Sequence, residues 1–220
     1  MAFESHQKAA NAQKQGWSKN EITVYETTVQ DKDGNEKKVL VDRDCGVRPQ
    51  TTMEGLAKLK PAFKKGGSTT AGNSSQVTDG AAVVLLARRS VAKKMGLPIK
   101  GRIVSYATAG VPPEIMGIGP AFAIPKALEH AGLTVKDINV WEVNEAFASQ
   151  ASYCVEKLGI PKDRLNRRGG AIALGHPLGM TGARMICTLF SELERTNEKY
   201  GVVSMCIGTG MGACGIFERE

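Results

Sequence analysis

The 220 residues predict an α/β fold in which helices are layered against a mixed sheet. Three observations carry this. From Ile99 onward, short β-branched runs alternate with amphipathic helical patterns. The 42% hydrophobic content is ample for a core, while 25 glycines and only 5% aromatics indicate a loop-rich chain. The last two strand patterns, 202–207 and 213–217, are joined by the short loop Gly208–Gly212, so a hairpin closes the chain and the sheet is mixed.

Taken in order, residues 2–14 read as a helix ended by Gly16. Alternating segments 21–29 and 36–41 face each other across Asp33-Gly34, a hairpin signal. A brief helix is expected around Met53–Leu59, stopped by Pro61. The front third is polar and thinly cored, and is not expected to fold by itself. After the small residues 68–75 comes a buried-type strand over 81–87, then a helix from Ser90 closed by Gly96. Strand 103–109, the loop VPPEIMGIGP and a helix to Ala131, closed by Gly132, follow. Strand 138–143 leads into a helix with Phe147, Ala151, Val155 and Leu158 on one face. Another helix begins near Thr181, with Ile186, Leu189, Phe190 and Leu193 as its apolar stripe.

The composition narrows the function. No apolar run approaches the ~20 residues that cross a membrane. The net charge of +7 is spread among acids, with no nucleic-acid-binding motif. The five cysteines show neither CxxC nor zinc spacing and read as reduced thiols.

Three places put a reactive side chain among small residues at an expected strand end, where open α/β sheets bind ligands. His176 lies between Gly175 and Pro177-Leu178-Gly179. A lone histidine is usually structural. Here the glycines clear space around it and the proline holds it out of helical geometry, at a corner between an expected strand and a helix. Cys206 ends a strand two residues before Gly208. A free cysteine needs a partner to react, and the glycines beyond it offer backbone N–H groups to an oxyanion. Asn144 sits where an N-cap belongs, yet its amide could also orient a histidine or a water.

GGAIALGHPLGMTGAR (169–184), VNEAFASQ (143–150), CIGTGMG (206–212), TAGNSSQVTDGAA (70–82) and MEGLAKLKPAF (53–63), with SHQKA from Ser5, resemble the successive signatures of the thiolase family. The wording is most similar to the degradative, peroxisomal type. The resemblance implies thiolytic cleavage of a 3-ketoacyl-CoA by CoA, an acyl transfer of fatty-acid β-oxidation. It needs no cofactor, CoA being a substrate. It assigns His176 as the base and Cys206 as the acid/base that handles the enolate proton. Asn144 holds an oxyanion-hole water and Gly208 N–H donates to a second oxyanion. Ser75 and Ala71 line the pantetheine channel, and Arg48 meets the nucleotide end of CoA. It implies a thiolase-like fold of three parts: 1–67 as the tail of a loop domain, 68–97 as the last strand and helix of a first core domain, and 98–220 as a second core domain. Partners are expected to be CoA, 3-ketoacyl-CoA and a second thiolase subunit, identical or full-length, with no nucleic acid and no membrane span.

Two departures stand out. None of Cys45, Cys154, Cys187 or Cys214 matches the family's nucleophile motif, so the 220 residues are expected to be inactive alone. Arg167-Arg168 occupy a place where the family often has a small or amide residue. Rival readings are a non-catalytic CoA-binding or subunit-interaction module and a biosynthetic acetoacetyl-CoA thiolase. The expected address is the peroxisome, although Phe217–Glu220 is not a Ser-Lys-Leu signal and the family's N-terminal address is not among these residues.

Overall fold

A computed structural model describes residues 1–220. Helix α1 (Ala2–Gln15) ends at Gly16, whose φ of 68° lets its N–H reach back to Ala12 and Gln13 carbonyls. Its buried residues, Ala2, Ser5, His6, Ala9 and Ala12, are small or polar, so it docks closely. They are the only buried residues before Thr70, which bears out the thin core read from the sequence. Strands β1 (Tyr25–Gln30) and β2 (Glu36–Val41) form an isolated antiparallel ribbon turned at Gly34, φ 83°. Helix α2 (Met53–Ala57) is capped by the Thr52 hydroxyl.

The strand expected over 81–87 does not form. Residues 77–87 make no backbone–backbone hydrogen bond, and Val83, Leu85 and Leu86 are 86%, 76% and 70% exposed. The hydrophobic pattern of a buried strand is present, but no strand of either sheet pairs with these residues. Helix α3 (Arg89–Lys94) follows, with Gly96 left-handed behind it.

The remaining chain is a layered unit. Strand β3 (Gly101–Gly110), helix α4 (Pro120–Ala131), strand β4 (Val140–Val143), helix α5 (Ala148–Leu158), the single turn α6 (Ala171–Leu174), helix α7 (Thr181–Thr196), and strands β5 (Tyr200–Ile207) and β6 (Met211–Arg219) follow in order. The sheet runs β3-β6-β5-β4. β4 and β5 are parallel, with Val143 beside Ser204, and the other two pairings are antiparallel. The mixed α/β sheet is therefore as expected.

Strand alternation sorts the core into two layers. Trp141, Val143, Val202 and Ile216 pack with Ile124, Ala127 and Leu128 of α4 and Val155 of α5. Val140, Val203 and Phe217 pack on the opposite face against Met185, Leu189 and Leu193 of α7. The α7 stripe is thus Met185-Leu189-Leu193, while Ile186 and Phe190 sit at its edge. On α5, Gln150, Ala151, Cys154 and Val155 are buried, and Phe147 is the N-cap at 38% exposure. No helix is long and apolar enough to cross a membrane.

Candidate active site

The parallel pair β4–β5 ends in Asn144, whose N–H donates to Ser204 O (2.9 Å). This puts Asn144, and Cys206 two residues beyond Ser204, at the same end of the sheet. Asn144 is not the cap of α5; that helix starts four residues later. It is instead 2% exposed, and its Nδ2 contacts His176 Nε2 at 3.1 Å. Its Oδ1 is buried with no partner.

The segment before His176 is not the expected strand but α6, broken off at Gly175 with φ 94° and ψ 166°. A Cβ at Gly175 would overlap Thr78 Cγ2, so close packing as well as φ demands glycine there. His176 N–H donates to Gln76 O (3.1 Å). The Gln76 amide meanwhile reaches Gly46 O (2.8 Å), Ile172 O (3.0 Å) and Ala173 O (3.0 Å). Gln76 therefore ties the loop at 46, the end of α6 and the histidine corner together. His176 Nδ1 meets Thr181 Oγ1 at 2.7 Å, at the first residue of α7.

Glu145 builds the support under this corner. Its carboxylate accepts from Ser5 Oγ (2.6 Å), Asn166 Nδ2 (2.9 Å) and Ile172 N–H (3.3 Å). Ser5 Oγ also accepts from Gly170 N–H (3.0 Å). A Cβ at Gly170 would overlap that carboxylate. Helix α1 is thereby fastened to the backbone that leads into His176.

Behind α7 lies a buried ionic cluster. Arg168, 3% exposed, donates to Glu192 Oε2 (2.9 Å) and Trp17 O (2.8 Å). Burial works to raise the Glu192 pKa, but hydrogen bonds from Arg195 and Arg168 outweigh it and hold it low. Arg167 pairs with Glu198. The two arginines that set this loop apart in sequence are thus structural anchors. Glu142, buried one position before Val143 on the α7 side, faces Arg184 at 3.4 Å, and burial pushes its pKa up to about 8.

The electrostatics suit an acid and a base. Burial, then the Arg184 charge, lowers the His176 pKa, so the imidazole is neutral at neutral pH. Burial raises the Cys206 pKa, leaving a thiol with a proton to give. Cys206 makes no side-chain hydrogen bond with His176 or any other group. Gly208 lies exposed in the turn just past it, before Thr209 and Gly210 at φ 67° and 94°.

The other expected residues lie further out. Ser75 N–H donates to Ala146 O (2.9 Å), which brings it within two residues of Asn144 along β4's continuation. Ala71 is exposed in a turn capped by Thr70. Arg48 is exposed, its N–H donating to His6 Nδ1 (3.2 Å) on α1. Gln76, Glu145, Ser5, Asn166 and Thr181 were not singled out by the sequence reading. Gln76 and Thr181 lie inside the quoted motifs, and Glu145 directly follows Asn144.

The thiolase C-terminal domain model matches residues 97–219, and the thiolase N-terminal domain model matches residues 1–90. The chain belongs to the thiolase family. It is 67% identical over 219 residues to 3-ketoacyl-CoA thiolase B, peroxisomal, of Rattus norvegicus, covering 99% of this chain and 52% of the relative. The dimeric peroxisomal thiolase of Saccharomyces cerevisiae superimposes with a TM-score of 0.87 at 54% identity, over 100% of this chain and 53% of that one. Human mitochondrial 3-ketoacyl-CoA thiolase in complex with CoA gives 0.88 at 40% identity, over 100% and 53%. The chain spans about half the length of the thiolases it matches.

Proposed function

We propose that this chain carries the acid/base half of a peroxisomal 3-ketoacyl-CoA thiolase of fatty-acid β-oxidation, which cleaves a 3-ketoacyl-CoA with CoA to acetyl-CoA and a shortened acyl-CoA. The observation that carries this is the contact of Asn144 with a neutral His176 at the same sheet end as the protonated Cys206 thiol. Claisen cleavage passes through oxyanions and a thioester enolate. It needs a base that is unprotonated and an acid that is protonated at working pH, and fixed N–H donors worth ~3–4 kcal/mol each. His176 takes the proton of an attacking thiol, and Cys206 protonates the departing enolate. Asn144 and Gly208 N–H serve the oxyanions. Ser75 and Ala71 line the path of the pantetheine arm, and Arg48 meets the nucleotide. The relatives' names support a peroxisomal address, and the dimeric yeast enzyme supports a homodimer. The division into a loop-domain tail (1–67), a first-core remnant (68–97) and a second core (98–220) belongs to the same reading.

The acyl-accepting cysteine is not among these residues. Cys154 and Cys214 are buried thiols pushed up to about 11 and about 12. Burial also raises Cys187, and Cys45 is exposed. Cys154, Cys187 and Cys214 thus lack the depressed pKa of a thiol nucleophile. The 220-residue chain is therefore expected to show no thiolysis alone, losing several orders of magnitude as when a covalent nucleophile is removed. The test follows loss of a 3-ketoacyl-CoA in the presence of CoA, with mass spectrometry for acylated protein. Turnover at an ordinary enzymic rate, abolished by Cys206→Ala, would overturn the assignment and make Cys206 the nucleophile.

A second reading, a subunit-interaction module, is favoured by the bare apolar run at Val83–Leu86. Sedimentation distinguishes it: a compact, stable monomer with no tendency to associate would count against it.

A further inference from the structure

We infer that Thr181 is a positioning residue that locks His176 in the Nδ1–H tautomer and so keeps Nε2 bare for proton transfer. This deepens the reading of His176 as a base and rests on it. Counting hydrogens around the ring sets the direction of each bond. Thr181 has a single hydroxyl hydrogen, and its oxygen lies 2.8 Å from Pro177 O, a carbonyl that also accepts Met180 N–H and Thr181 N–H (3.0 Å each). With that hydrogen on Pro177 O, the 2.7 Å contact with His176 Nδ1 is one that the hydroxyl oxygen accepts and the imidazole donates. A neutral imidazole has one N–H, so Nε2 is left with a lone pair. That atom is the one that meets Asn144 Nδ2, a donor, at 3.1 Å. The polarity runs consistently from the Asn144 amide through the ring and the hydroxyl to the Pro177 carbonyl. Reversing it would set Asn144 Oδ1 on an Nε2–H and leave the Thr181 oxygen facing Pro177 O with no hydrogen between them.

The surroundings fix this arrangement. Thr181 is 1% exposed, so water does not compete for its hydroxyl. Pro177 and Thr181 stand four residues apart across the start of α7, and the helix onset holds the hydroxyl under the ring. Gln76 O holds the His176 backbone N–H from the other side. A base must offer its lone pair where the proton arrives. With the opposite tautomer, Nε2 would carry a hydrogen at that place and could not accept one.

The chain contains its own reference. His6 Nδ1 accepts the Arg48 N–H at 3.2 Å, so His6 must carry its proton on Nε2. Only three histidines are present, and the third, His130, is exposed at the end of α4. Long-range ¹H–¹⁵N spectra of the ¹⁵N-histidine-labelled 220-residue chain at pH above 7.5 therefore should show two rings of opposite tautomer. His176 is expected as Nδ1–H and His6 as Nε2–H, assigned with His6→Asn and His176→Asn. In Thr181→Val, which keeps shape but removes the acceptor, the Nδ1–H to Nε2–H ratio at His176 should fall about fivefold or more, the worth of one ordinary hydrogen bond. Thr181→Ser should restore it. The unchanged His6 pattern certifies that the variant is folded; if Thr181→Val loses that pattern, Thr181→Ala takes its place. Wild-type His176 found as Nε2–H, or Nδ1–H retained with no hydroxyl at 181, overturns the inference. Neither result depends on turnover, so failure of the thiolase reading would appear separately, in the thiolysis assay.

Discussion

Removing the Ser5 hydroxyl should unfasten α1 from the site corner at a cost that can be worked out bond by bond. Ser5 is 2% exposed. Its hydroxyl donates to Glu145 Oε2 at 2.6 Å and accepts Gly170 N–H at 3.0 Å. A hydrogen bond to a charged group is worth about 1.5–3 kcal/mol, and a buried N–H left without a partner costs about 1–3 kcal/mol. The two losses share one atom and do not simply add, so Ser5→Ala is expected to destabilise by about 2–4 kcal/mol. With a urea dependence of about 2 kcal/mol per molar for a chain of this size, the unfolding midpoint should fall by about 1–2 M. Tryptophan fluorescence reads it, because Trp141 is fully buried in the core. Amide exchange on α1 should accelerate more than exchange on β5 and β6, since this is the buried hydrogen-bonded contact that ties α1 to the loop before His176. A midpoint shift below about 0.3 M, or equal acceleration everywhere, would refute the idea that Ser5–Glu145 holds the helix.

Two further outcomes are expected. Glu142→Gln should change the pH profile of stability: the wild-type carboxyl has its pKa raised from 4.5 to about 8 in the fold, so its contribution is fully present below 4.5 and is lost as pH rises through about 8. The variant should therefore gain on wild type between pH 5 and 8.5 in urea midpoints, and a constant difference would rule this out. Gly175→Ala should lower the melting temperature by about 5–10 °C, from about 1–2 kcal/mol of left-handed strain plus the overlap with Thr78. Thr78→Ala in the same chain should recover part of that loss, and no recovery would mean the overlap is not the cause.

Much of the layered unit was legible because its signals are local. Gly16, Gly96 and Gly132 each sit at a left-handed residue behind a helix, as their places in the pattern require. Asp33-Gly34 made the ribbon, and the mixed sheet followed from the closing hairpin. The misreadings share a cause: local pattern does not state what lies alongside. Val83–Leu86 has the composition of a central strand, but pairing requires a neighbour on its edge, and none is there. Asn144 has the composition of a cap, but the chain continues through Phe147 before α5 begins, so the amide is free to meet a histidine. At the candidate site, the sequence picks out His176, Cys206 and Asn144 by residue type and setting. It does not pick out Gln76, Glu145 and Thr181, because each acts through groups that are distant in sequence or through a hydrogen whose direction only geometry reveals. Ser5 reaches Glu145 across 140 positions of chain.

The unpaired run has a consequence for how the chain behaves in solution. Residues 80–87, GAAVVLLA, contain neither proline nor charge, and their amides and carbonyls have no ladder partners. That is the make-up of a cross-β seed. Asp79 stands on one side, and Arg88 and Arg89 on the other. Such flanking charges act as gatekeepers, because stacking copies in register would stack like charges at both ends. Their protection is electrostatic and so is weakened by salt, with a screening length of about 10 Å at 0.1 M and about 3 Å at 1 M. For these 220 residues by themselves, low ionic strength should favour solution and high salt should favour association through this run.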